Sequence, residues 1–331
     1  TTSGEYNTAV GESAARNLTT GWQNTLIGNS AGYNVTTAYY NFYGGYQAGY
    51  WNQTGGSNTA IGFESLKGAS GQSNSNNTAI GFKSGTAITT GSNLTAIGHS
   101  ALKSATTISS AVAIGQGAGQ NTTTGSQNVF VGNQPSYNNT TGSSNTSIGY
   151  IAMYNNQTGG SNVAVGTSAL QGVAGNSHSY NTAIGYQAGY DITTGSNNLF
   201  AGYKAGENVT TGNSNVALGQ QALRNNKTGT GNISIGQDSL SNVSNTAAGG
   251  NVAIGQAAGD ALTTGSENII IGYAADASSA TVSNEITLGG ASATRFRIPG
   301  IGLDWTAVPA AGATDINGLT DGYAVAGSLG L

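Results

Sequence analysis

The phrase Asn-Thr-Ala-Ile-Gly and its variants return along the chain at a nearly constant spacing, and this period limits the fold more than any other feature. The copies end at Gly11, Gly28, Gly45, Gly62, Gly81, Gly98, Gly115, Gly132, Gly149, Gly166, Gly185, Gly202, Gly219, Gly236, Gly255, Gly272 and Gly289. Thirteen of the sixteen intervals are 17 residues and three are 19. The residue before the glycine is Val, Ile or Leu except at Gly44 and Ala201. Four residues before it stands Asn, except at Leu94, Ala111 and Glu285. Nine residues after it every 17-residue coil carries Thr, as at Thr20, Thr37, Thr90, Thr124 and Thr194, while the long coils place Gly71, Gly175 and Asn245 there.

In Asn251-Val252-Ala253-Ile254-Gly255 the period-2 rule puts Val252 and Ile254 on one face and Ala253 and Gly255 on the other, as in a strand. A second strand is expected at segments such as Ile192-Thr193-Thr194, which run into Gly195-Ser196-Asn197. Gly and Asn tolerate positive φ and so suit turns, and frequent Gly and β-branched residues disfavour helix. The expected fold is all-β, a parallel β-solenoid with one 17-residue coil per repeat over residues 1–289. Coils stacked at about 4.8 Å would give a rod of about 80 Å. Stacking aligns each Ile over the last as an apolar seam. It also lets Asn24, Asn181, Asn251 and the Thr column bond to their copies as side-chain ladders. The small face is either the thin interior of one coil or a surface where several chains meet around a common axis, and association is the expectation carried forward.

Residues 290–331 lack the repeat and hold Pro299, Pro309 and Trp305; they read as a C-terminal cap or connector. At the other end the chain starts in mid-coil, which calls for preceding chain or a covering neighbour. The two-residue insertions, between Ser65 and Asn77, Ala169 and Asn181, and Ser239 and Asn251, should bulge outward as surface loops.

Composition removes several function classes. The chain has no Cys, hence no disulfide, thiolate metal site or thiol nucleophile. Charged residues are only 7% of 331, with nine scattered Lys and Arg, so nucleic-acid binding is not expected. No apolar run reaches the length of a membrane span, so membrane insertion is not expected either. The two histidines, His99 and His178, do not repeat, and no Asp column of a calcium roll exists. No enzyme, cofactor or metal is expected. Sequons such as Asn17-Leu18-Thr19 follow from ladder and turn composition. Five residues after the glycine lies a mixed column whose tyrosines, Tyr33, Tyr50, Tyr137, Tyr154 and Tyr190, form a candidate glycan-contacting surface. Tyr is equally a good strand residue.

Asn181-Thr182-Ala183-Ile184-Gly185-Tyr186-Gln187-Ala188-Gly189 and its copies resemble the YadA-like head repeats of trimeric autotransporter adhesins. With the Thr-Thr-Gly spacer they are similar to repeats of bacteriophage tail fibres and related virion proteins, and Arg297 to Trp305 also looks phage-like. The resemblance covers residues 1–289 and implies a left-handed β-roll, a homotrimer, adhesion or virion attachment, and no enzymatic activity. The familiar adhesin repeat is shorter than seventeen residues, and no coiled-coil stalk, membrane anchor or fibre chaperone domain follows. The expected function is therefore a structural fibre protein of a phage virion, located on the virion or outside the cell, whose partners are its own copies and a host-surface glycan or protein. The alternative is a self-assembling extracellular filament or adhesin subunit, stacked end to end. A third reading is an ice-binding solenoid, against which stands the Gly or turn that mostly follows each Thr.

Overall fold

The computed structural model describes residues 4–243 and 248–293 and two further strands, residues 295–298 and 303–306. Asn245 and Pro309 lie outside the described residues. Contacts divide the chain into two units, Thr1–Gly290 and Ala291–Leu331.

In the first unit each copy of the repeated phrase forms one three-residue strand, from β1 (Thr8–Val10) to β17 (Ile286–Leu288). The strand is short because its borders stop it. The Gly that follows, from Gly11 to Gly272, adopts φ near 130°, at Gly185 134°, where an L side chain is strained. A Cβ on Gly185 would also sit 2.5 Å from the carbonyl oxygen of Gly202 in the next coil. The repeated glycine is thus required twice, by its backbone conformation and by the close coil above it.

The seventeen strands make one parallel sheet in which each pairs with the strand of the next coil. Thr182, Ala183 and Ile184 pair with Leu199, Phe200 and Ala201. The long coils keep the same register, with Thr59 opposite Thr78, Val163 opposite Thr182 and Ile233 opposite Val252. Equivalent residues of consecutive coils therefore lie directly over one another. Among the described residues there is no helix.

Two expectations are corrected. Ile192-Thr193-Thr194 is not a second strand; the rest of each coil is turn and bend, with isolated bridges among the described residues only at Trp22–Tyr39, Ser75–Ser92 and Ser92–Ser109. Left-handed residues such as Gln187 (φ 53°) and Asn197 (φ 59°) bend the chain too often for a second ladder, though the Thr193 amide still donates to Thr210 O at 2.9 Å. The small-residue face is also not where chains could meet. Ala183 and Ala253 are wholly buried inside their own coil, whereas Ile184 and Ile254 are 49% and 38% exposed. Each three-residue strand turns its central side chain inward and its two flanking ones outward, which puts the β-branched columns outside.

That narrow interior is filled by complementary volumes. Where the central strand residue is Ala60, Ala96, Ala164 or Ala217, the wall six residues on carries buried Leu66, Leu102, Leu170 or Leu223. Where it is Tyr43 or Phe200, the same wall carries Gly49 or Gly206, and a Cβ there would collide with the ring. Burial of one Leu or Phe contributes about 1.5–3 kcal/mol, so stability builds coil by coil.

The second unit contains an antiparallel pair, β18 (Arg295–Ile298) with β19 (Leu303–Thr306), in which Phe296 is opposite Trp305.

Candidate functional site: ladders inside, columns outside

The Asn ladder closes each turn. In Asn198 the backbone N–H and the amide Nδ2 both donate to Asn181 Oδ1 at 3.0 Å, and Nδ2 also donates to Gly212 O at 2.9 Å. Asn251 repeats this on Asn232 and Gly265, and Asn41 on Asn24 and Gly55. These amides are buried with donors and acceptor satisfied, at about 1 kcal/mol net for each bond.

The Thr ladder lies one residue earlier than the sequence reading placed it. Thr36 Oγ1 donates to Gln53 O at 3.0 Å, Thr89 Oγ1 to Thr106 O at 3.1 Å, and Thr193 Oγ1 to Thr210 O at 3.0 Å. Thr20, Thr37, Thr90, Thr124 and Thr194 are exposed, and their hydroxyls engage no partner among the described residues. Both residues of each Thr-Thr pair look alike in sequence, and only the turn decides which hydroxyl meets the next carbonyl.

The tyrosine column is half-buried and self-stacked. Tyr33 and Tyr50 lie 5.0 Å apart at 12°, and Tyr137 and Tyr154 lie 5.3 Å apart at 8°. The Arg16 guanidinium sits 5.6 Å from the Tyr33 ring centre, and Gln120 Nε2 donates to the Tyr137 hydroxyl at 2.9 Å. Facing rings cover one another, so edges and hydroxyls are what this column offers to solvent; Tyr190 is likewise half-buried.

The insertions have exposed tips at Gly71 and Gly175, but their return limbs go inward. Asn74 and His178 occupy matching buried places, their backbone amides donating to Asn52 Oδ1 at 3.1 Å and Asn156 Oδ1 at 3.2 Å. His178 Nδ1 lies 3.3 Å from Asn162 Oδ1 and Nε2 has no partner. Burial lowers its pKa to about 4, so the ring is neutral near pH 7. Tyr43, enclosed in the core with its hydroxyl 2.6 Å from Asn52 Nδ2, is raised far above the ordinary phenol range by the same desolvation. A neutral, enclosed imidazole with no carboxylate beside it does not form an acid–base set.

On the outside, the residue before each glycine gives a row of half-exposed side chains that includes Ile61, Ile114, Ile148, Ile184, Ile254 and Ile271, each 38–49% exposed. Beside it, the residue after the glycine forms an aromatic stack over four successive coils, Tyr46, Phe63, Phe82 and His99, with ring centres 5.0–5.2 Å apart. His99 is a member of this stack. Charges sit at its margin: Glu64 bridges Lys67 at 2.7 Å and Lys83 at 3.5 Å, and these partners, Lys67 first, hold its carboxyl below the usual range. Among the described residues no three His, Asp or Glu side chains come together as a metal site, and no helix is long and apolar enough to cross a membrane. The outward row was legible as a column of apolar residues but not as a surface.

The strongest constraint on function is thus a buried Asn ladder behind an outer row of mostly Val and Ile, flanked in some coils by aromatic residues. No protein-family model matches the chain, and no curated protein matches it.

Proposed function

We propose that the chain is a non-catalytic structural fibre protein, a tail fibre or appendage of a bacteriophage virion that serves attachment to a host surface, built as a homotrimer of left-handed coil stacks. The observation that carries this reading is the outward Val/Ile row. Monomeric proteins rarely leave a long apolar stripe in water, and a stripe repeated in every coil but those of Gly44 and Ala201 suits a closed association of identical copies. The Ala columns are wholly buried within their own coil, which supports the outward row for that role. The buried Asn column is engaged in a coil-to-coil ladder, which suits a scaffold whose work is rigidity and reach. An ice-binding surface is less well supported, because the hydroxyls of Thr36, Thr89 and Thr193 are engaged by the next coil and only one exposed Thr column remains.

Light scattering of the full chain tests the reading. We expect three times the chain mass, and expect the double variant Ile148→Asp/Ile184→Asp to fall to monomer while keeping its β circular dichroism. A monomeric parent protein sinks the trimer. Negative-stain microscopy separates discrete short rods, the expected result, from the long polymers of a self-assembling filament.

A further inference from the structure

Six residues before the glycine, every coil from Gly56 onward carries a small residue: Ser, Gly, Asn or Thr. The two preceding coils carry Trp22 and Tyr39 there, and Tyr40 follows in the adjacent column. The backbone does not need these rings. Tyr40 N–H donates to Trp22 O at 3.3 Å and Ser57 N–H to Tyr39 O at 3.0 Å, the same bond that Ser110 N–H makes to Ser92 O at 3.0 Å in a serine coil. The left-handed conformation is unchanged as well, φ 57° at Tyr40 and 55° at Ser110.

The rings nevertheless form a built corner. Trp22 and Tyr39 are stacked at 6.0 Å and 22°. Tyr40 stands across both, at 63° to Trp22 with centres 4.6 Å apart and at 85° to Tyr39 with centres 5.4 Å apart. Tyr39 is seated on Gly56, where even a Cβ would come within 2.9 Å of its ring. The three rings are 39%, 42% and 50% exposed. The indole N–H, both phenol hydroxyls and the Gln23 amide side chain have no hydrogen-bond partner among the described residues.

We propose that Trp22, Tyr39 and Tyr40 form a carbohydrate-binding corner for a neutral pyranose. This deepens the attachment reading above, on which it rests, by assigning a ligand class and a place. The C–H face of a pyranose is apolar and faintly positive, and it stacks on the negative face of an indole or phenol. Rigid aromatic rings lose little entropy on binding, and their polar tips are placed to meet sugar hydroxyls. Exposed Glu5 occupies the preceding place in the same column and disfavours acidic sugars. The corner differs from the Tyr33 column in its third ring, Tyr40, which stands across the stacked pair and makes a concave edge.

The test uses the full chain on an array of immobilised neutral and acidic glycans. The comparison protein is the triple variant W22S/Y39S/Y40S, which installs the residue the fold itself carries at these places in other coils. The expected result is retention of neutral hexose glycans by the parent and binding at least about tenfold weaker by the variant, with melting temperature and oligomeric mass unchanged. Gly56→Ser, which displaces Tyr39 without removing it, should weaken binding in the same direction. Equal binding by parent and triple variant overturns this site while leaving the attachment reading in place. Parent protein that retains no neutral glycan overturns the proposal. A changed oligomeric mass in the triple variant also overturns it, by showing the rings to be a contact between copies. Failure of the fibre reading itself shows separately, as a monomeric parent in light scattering.

Discussion

From Asn181 to Asn268 every coil places a buried amide beside its strand, whereas at Leu94 and Ala111 that slot holds hydrocarbon. In the first region each amide oxygen from Asn181 to Asn251 takes two donors from the coil above. In the second the chain fills the space instead: Leu94 is 2% exposed, and Ile108 is buried at the place that Gly91 and Gly125 occupy in the coils on either side. The backbone pairing runs on through the gap, with Thr95 N–H on Ala111 O and Val112 N–H on Asn128 O, both at 2.9 Å. Register is therefore carried by the main chain and by the glycine column. The amide ladder is one of two ways to fill a slot, and its removal is tolerated only where neighbouring residues change with it. A buried polar group costs most when one partner alone is lost.

The comparison can be tested at several strengths. The largest effect belongs to the glycine column, which both regions share. Gly185→Ala and Gly98→Ala should each lose on the order of 3 kcal/mol or more, through positive φ and collision with the next coil. Denaturant titration of the two variants should give similar losses; a mild effect at Gly98 alone would mean the gap relaxes its backbone.

Next comes acid. His178 is buried neutral, with a pKa near 4 in the folded chain against an ordinary 6.5. Its folded value is depressed, so neutral burial is without penalty above about pH 6.5 and stability falls as the pH drops toward 4, by up to roughly 3 kcal/mol. His178→Asn, which copies Asn74 of the first long coil, should flatten this part of the profile in thermal melts between pH 7 and 4. An unchanged profile would place the acid sensitivity elsewhere.

Smaller is the loss of one rung. Asn215→Leu should cost about 2–3 kcal/mol by leaving Asn198 Oδ1 and Gly229 O without a side-chain donor. The reverse change in the gap, Leu94→Asn, should stay within about 1 kcal/mol, because Asn77 Oδ1 already stands at hydrogen-bond distance from residue 94. Equal costs for the two would erase the difference between the regions. The smallest effect is at the surface: Glu64→Gln should change stability by less than about 1 kcal/mol, and less in high salt, since solvent screens this partly exposed ion pair.

The period, the strand at each repeated phrase and the vertical alignment of columns were legible because a seventeen-residue repeat with a strand pattern admits few other windings. The Asn ladder was legible for the same reason: a polar side chain recurring beside a buried strand needs its own copy as partner. The Thr ladder was legible only to within a residue, since Thr19 and Thr20, or Thr193 and Thr194, are chemically identical. The inward turn of His178 and Asn74 was hidden because an insertion in sequence does not say which of its limbs faces the core. The aromatic corner carried a signal that could have been found, the departure of Trp22 and Tyr39 from a column of small residues, but its use depended on knowing that the column lies outside.

What this chain's sequence determined by itself was the repeat and its register, because spacing and alternation are one-dimensional facts. Which side of the strand faces in was decided only by the folded coil. An alternating pattern names two faces without ordering them, and Val252-Ala253-Ile254 is compatible with either. The turns bring the opposite wall so close that the central strand residue is mostly Ala or Ser, or a larger side chain such as Leu26, Tyr43 or Phe200 set against a Gly, and this leaves the flanking Val and Ile on the outside, where the next copy or the solvent must meet them.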